Sequence, residues 1–205
     1  MAVGDFEIRR CEPRDEAAVY RVCLETGDDG KDATHLFVDP LALGHIFVGP
    51  YMKLEPELAF VAEDALGVCG YVLAALDSKE FYHAYLTQWL PGIRKKHPEP
   101  AGDSSTWTRT QQIYHAYYHP EIFCPAPYGR YPSHLHIDLL PRAQGRGLGK
   151  KMMTVILKKL VKKNSPGVHL GMATTNARAE RFYKKLGFDE LARMGDTLYL
   201  GKTLS

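Results

Sequence analysis

A chain of 205 residues with 45% hydrophobic and 24% charged residues has the make-up of one folded globular domain, which excludes a disordered, collagen-like or coiled-coil protein. That length leaves no room for a (β/α)8 barrel of roughly 250 residues with anything added. Lys and Arg number 26 against 24 Asp and Glu, a net charge of +2, so no broad positive field marks the chain for nucleic acid.

The chain opens with alternation over Phe6 to Arg10, the period of a half-buried strand, and a helix follows from Glu12-Pro13 to the stop at Gly27. Residues 27–57 read poorly: Asp39-Pro40 is expected to start a short helix and Gly49-Pro50 to break what precedes it. Leu58 to Ala62 and Val68 to Ala74 predict a hairpin. A helical period returns over residues 78–96. A polar, proline-rich loop, a helix from Trp107 to Tyr118 and a proline-punctuated approach over residues 125–132 follow. The last seventy or so residues alternate clearly: strand His134 to Leu140, glycine loop, helix to about Lys163, strand Val168 to Ala173, helix Asn176 to Leu186, then strands near 188–193 and 197–202. This alternation predicts an α/β domain with a parallel crossover. Cys11, Cys23, Cys69 and Cys124 form no C-x-x-C pair, which favours reduced thiols in a cytoplasmic protein. The first ten residues carry no apolar leader core, and no apolar run approaches about 18 residues, so no membrane span is expected.

Two segments carry chemistry. The first, Gln144-Gly145-Arg146-Gly147-Leu148-Gly149, lies between a strand and a helix. Glycines there let the backbone turn and approach a ligand, and the free N–H groups of the first helical turn favour an anion, so a phosphate is the expected occupant. The same pattern also serves as a plain turn. It is neither a G-x-x-x-x-G-K-[ST] loop nor a G-x-G-x-x-G fingerprint. Arg146 and Lys150, in the loop and first turn, are the expected phosphate contacts; the other lysines of this helix read as a solvated face. The second segment, Asn176 to Phe188, has Asn176 as an N-cap, Ala179, Phe182 and Leu186 as a buried stripe, and Gly187 as the residue that ends the helix.

Together the two segments resemble the general N-acetyltransferase (GNAT) superfamily. Its acetyl-CoA signature Q/R-x-x-G-x-G/A matches Gln144, Gly147 and Gly149, and its N-x-x-A-x-x-F-Y-x-x-L-G-F element matches Asn176, Ala179, Phe182, Tyr183, Leu186, Gly187 and Phe188. The resemblance implies one domain over residues 1–205, with a mixed, mostly antiparallel sheet flanked by helices and splayed between strands 4 and 5. It also implies acetyl-CoA as cosubstrate, its pyrophosphate on the amides of Gly145, Arg146, Gly147, Leu148, Gly149 and Lys150 and its pantetheine on the backbone of Leu139 and Leu140. Tyr183 is then the expected proton donor to the departing thiolate, and Asn176 lies beside the cofactor. Residues 58–204 further resemble the acetyltransferase-like domain at the C-terminus of O-GlcNAcase, through Phe60 to Asp64, Cys69-Gly70-Tyr71, Asp77, Trp89 and Asp138. Vertebrate copies of that domain lack the glycine signature, which this chain keeps. Glycan hydrolysis is not implied.

Transfer to an amine needs a group that takes a proton from the ammonium. Alternation puts His134, His136 and Asp138 on one face of their strand, with Asp138 and His134 as the candidate bases. A hydrogen-bonded polar cluster is the structural alternative. Residues 78–131, between strands 3 and 4, form a long aromatic insertion that either covers the core or lines the acceptor site. His115 and His119 are spaced i, i+4, but with no metal-binding motif around them no metal is expected. The expectation is thus an acetyl-CoA-dependent N-acetyltransferase acting on a primary amine by direct attack, because no cysteine stands at a nucleophile position. The competing reading is an inactive acyl-CoA-binding or interaction module. The acceptor stays open between a protein lysine, an aminosugar and a polyamine.

Overall fold

The computed structural model describes residues 6–204; the expectation about a leader rests in part on residues 1–5, which lie outside this range. Seven strands, β1 (Glu7–Arg10), β2 (Ala59–Asp64), β3 (Gly67–Ala75), β4 (Ser133–Leu139), β5 (Gly167–Ala173), β6 (Asp189–Met194) and β7 (Thr197–Thr203), form one sheet in the order β1-β2-β3-β4-β5-β7-β6. Every pairing is antiparallel except β4 with β5. That parallel pair registers only at Ser133 with Val168 and His134 with His169, after which the strands part. The expected mixed sheet, opened between its fourth and fifth strands, is therefore present.

Helix α1 (Glu16–Leu24) buries Val19, Tyr20, Val22, Cys23 and Leu24 against β3 and β4. The segment that read poorly folds as two short helices, α2 (Gly44–Phe47) and α3 (Gly49–Leu54). Here Gly49-Pro50 opens a helix as well as closing one, because proline in a first turn gives up no intrahelical hydrogen bond. Gly49 is also required for contact: a Cβ there would meet the Tyr20 hydroxyl at 2.2 Å and the Trp89 ring at 2.5 Å.

The β3–β4 connection is ordered. Helix α4 (Ser78–Ala84) runs through a π-helical turn, Tyr85–Trp89, into α5 (Leu90–Lys96), which accounts for the single helical period over residues 78–96. Helix α6 (Arg109–Tyr118) begins with a Thr108–Gln111 capping box. Helix α7 (Leu148–Lys162) lies on the opposite face of the sheet from α1 and buries Leu148, Met152, Met153, Ile156 and Leu160. Helix α8 (Ala177–Lys185) follows β5 and ends at Gly187, whose φ is +80°. All four cysteines are unpaired. Among the described residues no helix is long and apolar enough to cross a membrane.

Candidate active site

The glycine loop is shaped by its backbone. Gly145 and Gly147 both have φ +74°, a conformation that side-chain-bearing residues rarely adopt, and Gly147 is the residue that precedes α7. Among the described residues none of the six amides from Gly145 to Lys150 has a hydrogen-bond acceptor; the ladder of α7 starts with the Lys151 amide donating to the Gly147 carbonyl at 3.1 Å. A mouth of unpaired N–H groups at the positive end of a fifteen-residue helix is suited to an anion. Gly149 serves packing instead, since a Cβ there would come within 3.3 Å of Phe182 and 3.4 Å of Leu139, so α8 and β4 press against the start of α7.

The surrounding side chains add positive charge. Lys150 is exposed at the first turn, while Arg146 lies over the Phe6 ring, 5.6 Å from its centroid. Arg178, which the sequence did not single out, donates to Gln144 Oε1 at 2.7 Å and so stands at the same mouth. Gln144 Nε2 in turn donates to the Leu139 carbonyl at 2.6 Å.

The Leu140 amide donates to the Cys69 carbonyl at 2.8 Å, and its carbonyl accepts from Ala143 at 2.9 Å. Both of its backbone groups are thus used within the fold. Antiparallel ladders alternate, so the N–H and C=O of Leu139, one residue earlier, turn away from β3 toward the parted side. Of the two leucines, Leu139 turns its backbone toward the gap, with its carbonyl held by Gln144, while both backbone groups of Leu140 are engaged within the fold. Asn176 caps α8, its Oδ1 accepting from the Ala179 amide at 3.0 Å, and its Nδ2 donates to the Asp29 carbonyl at 3.3 Å. Its amide is therefore engaged within the protein.

Asp138 and Tyr183 come together from β4 and α8. Asp138 is partly buried and accepts a 2.5 Å hydrogen bond from Tyr71 Oη. Burial pushes its carboxyl up to about 7, against the smaller opposing effect of the Tyr71 donor. Tyr183 is 8% exposed and has no hydrogen-bond partner among the described residues. Burial, and then the nearby Asp138 charge, hold its phenol above the ordinary tyrosine range, so it carries its proton at neutral pH.

His134 has a hydrogen-bond partner at each ring nitrogen. Ser78 Oγ lies 2.7 Å from its Nδ1 and Tyr51 Oη 2.8 Å from its Nε2, and burial lowers its pKa well below the usual value. With both ring nitrogens taken, it is the hydrogen-bonded cluster that the sequence left as an alternative. His136, on the same strand face, has no such partner, and burial lowers it to about 4. Its ring lies against Tyr51 and Phe47.

Beside the parted strands is a cavity of about 420 Å³, lined by residues of α4, the π-helical turn, β4, β5, β7 and the segment around Phe123. The β3–β4 connection therefore both covers core and walls a cavity. Every cysteine thiol is raised by burial, Cys23 to about 12 and Cys69 to about 11, so none is poised as a thiolate.

His115 and His119, which the sequence places i, i+4, converge on a carboxylate. They meet Glu99, at 3.4 and 2.6 Å, and a second group brings together Asp39, His45 and His97. Within each group the ligand-type atoms lie within 4.8 Å of one another.

Residues 45–188 match the model of the acetyltransferase (GNAT) family. Rat (Rattus norvegicus) O-GlcNAcase is 29% identical over 204 residues, which is 97% of this chain and 22% of that protein. The chain thus spans about a fifth of the length of the curated relatives it matches. The crystal structure of SsHAT is 37% identical, with a TM-score of 0.91 over 98% of this chain and 99% of that one. A GNAT superfamily phosphinothricin acetyltransferase from Sinorhizobium meliloti, solved in complex with acetyl-CoA, shares the fold at 13% identity and a TM-score of 0.55, over 98% and 89% of the two chains.

Proposed function

This chain belongs to the acetyltransferase (GNAT) family, and from that premise we propose that it binds acetyl-CoA and transfers the acetyl group to a primary amine by direct attack in a ternary complex. The observation that carries this reading is the row of six unpaired amides from Gly145 to Lys150 at the mouth of α7, beside the parted ends of β4 and β5. A pyrophosphate fits there: the donors are main-chain N–H groups, Lys150 and Arg178 add charge, and the open space above Gly145 and Gly147 admits a ligand. The backbone of Leu139, which turns away from β3, suits the amide groups of a pantetheine arm. Binding there requires the Gln144 amide to release the Leu139 carbonyl, or to share it.

When bound, acetyl-CoA supplies an acetyl thioester, so that the amine nitrogen bonds to the carbonyl carbon, the carbon–sulfur bond breaks and one proton is released to water overall. Asp138 acts as the base. A carboxyl lifted to about 7 is matched to accepting a proton from an ammonium near neutral pH, which a carboxylate of ordinary pKa near 4 does poorly. Tyr183 holds the proton that the departing sulfur takes. Its hydroxyl makes no internal hydrogen bond, so it is free to turn to that sulfur. The raised thiols favour this direct route over an acetyl-cysteine intermediate.

The test is acetyl transfer to an amine panel, followed by release of the CoA thiol, in the wild type, Asp138→Asn and Tyr183→Phe. The reading predicts turnover that falls in both variants. Tight CoA binding with no turnover on any amine, and no difference between the three proteins, would establish a binding module instead.

A further inference from the structure

The loop after α5 and the end of α6 bring together Glu99, His115 and His119, none of which lines the cavity beside β4 and β5. His115 on α6 and His119 at its C-cap are one helical turn apart, so both rings leave the same face; they stack with centroids 4.2 Å apart and planes 28° from parallel. Glu99 brings one carboxylate oxygen, Oε1, to both: it lies 2.6 Å from His119 Nε2 and 3.4 Å from His115 Nδ1. One ligand-type atom of each residue is within 4.8 Å of the other two.

Hydrogen bonding within the protein leaves this group unfinished. The contact to His119 is a full hydrogen bond, but His115 Nδ1, although shut off from solvent, has no hydrogen-bond partner among the described residues. A buried ring nitrogen left unpaired is costly, and a cation on its lone pair satisfies it. Among the described residues Glu99 meets no Lys or Arg, so the two imidazoles are its only ion-pair partners. The spacing also suits a metal. Ligands at about 2.0–2.1 Å from a tetrahedral Zn²⁺ stand about 3.3–3.4 Å from one another. The 3.4 Å separation at His115 already has that value, and the 2.6 Å one reaches it when the exposed Glu99 side chain moves by less than about 1 Å.

We propose that Glu99, His115 and His119 bind a divalent cation of the zinc type, which fastens the loop after α5 to α6. The sequence led to no expectation of a metal because the histidine pair stood without a third ligand; the fold supplies Glu99. Two imidazoles and one carboxylate suit Zn²⁺, whereas Ca²⁺ and Mg²⁺ take oxygen ligands. A cleft lined by Gly102, Ser104, Trp107, Gln112 and His115 opens beside the group and admits water as a fourth ligand. The second group differs in that both oxygens of its carboxylate already have donors: Asp39 Oδ1 accepts from the Leu41 amide and Oδ2 from Tyr114 Oη, each at 2.9 Å. It therefore serves as the control.

The experiment is calorimetric titration of the whole chain with Zn²⁺, after removal of metal by a chelator and with no affinity tag present. The wild type should show a zinc site that is weakened at least tenfold in His119→Ala and in Glu99→Gln and unchanged in Asp39→Asn. Positions 99 and 119 are exposed, so both variants should fold, with metal-free melting curves close to that of the wild type. Excess Zn²⁺ should raise the melting temperature of the wild type by several degrees and that of His119→Ala by much less. Co²⁺ should give a visible absorption band in the wild type that His119→Ala loses. No heat at submillimolar Zn²⁺, equal affinity in the wild type and both variants, or a site lost in folded Asp39→Asn would overturn the proposal. Heat from coenzyme A is a separate measurement, so the acetyltransferase reading stands or falls independently of this one.

Discussion

Tyr71 and Asp138 face each other across the β3–β4 ladder, and the buried Tyr71 hydroxyl donates to the Asp138 carboxylate at 2.5 Å. Burial lifts the carboxyl, while the single donor keeps part of the charge tolerable, and the balance sits near neutrality. One cross-strand pair thus fixes both where the candidate base points and when it ionises.

The first consequence is a pH profile. Only the ionised carboxylate takes a proton, so kcat/KM should rise with pH on an acid limb with its midpoint near 7 and flatten above it. A pH–rate series with one amine acceptor checks this. An acid limb near 4 would mean that Asp138 is not the base.

Stability should move the other way. The folded pKa of Asp138 lies above its ordinary value, so the folded state binds the extra proton and this contribution is lost as pH rises from about 4 through about 7. Asp138→Asn keeps an acceptor for Tyr71 without the buried charge. Its melting temperature at pH 8 should exceed that of the wild type, by roughly 2–4 °C per kcal/mol recovered, and the gap should close toward pH 4. Activity should fall about 10²–10⁴-fold in the same variant. Melting curves at the two pH values separate this from general damage.

Tyr183→Phe removes a hydroxyl that has no internal partner, so the fold should lose little. The rate should drop about 10²–10⁴-fold while CoA affinity stays within a few-fold of the wild type. Single-turnover rates and calorimetry on the same preparation decide between lost chemistry and lost binding.

His134 gives the contrasting case. His134→Ala leaves Tyr51 Oη and Ser78 Oγ each without a ring nitrogen, at a cost of about 1–3 kcal/mol for a buried group left unpaired. Denaturant unfolding should show that loss, and the acid limb of the rate profile should stay near 7. A displaced limb would return His134 to the role of base.

The parts of this molecule that are legible in its sequence are those whose chemistry is local. Gly145, Gly147 and Gly187 occupy positive-φ positions, Asn176 caps the helix it precedes, and alternation along β4 sets Asp138 on one face. The rest depends on residues distant in the chain. His134 reads as a candidate base until Tyr51 and Ser78, 83 and 56 positions away, take its two nitrogens. Arg178 reaches Gln144 across 34 residues, and Tyr71 finds Asp138 across 67. Which of Leu139 and Leu140 faces the gap is a matter of ladder phase, and no composition or spacing encodes it. Residues 27–57 stayed obscure because α2 and α3 are too short to show a period.

The most direct measurement is calorimetry of coenzyme A on the wild type and on Gly147→Val. The substitution forces a branched side chain into a backbone of φ +74°, at a cost of roughly 1–2 kcal/mol, and turns the free amides out of line. Wild-type protein should show saturable one-to-one heat, weakened at least tenfold in the folded variant. No heat from the wild type at millimolar coenzyme A, or equal affinity in the two proteins, would contradict a diphosphate held by the amides of residues 145–150.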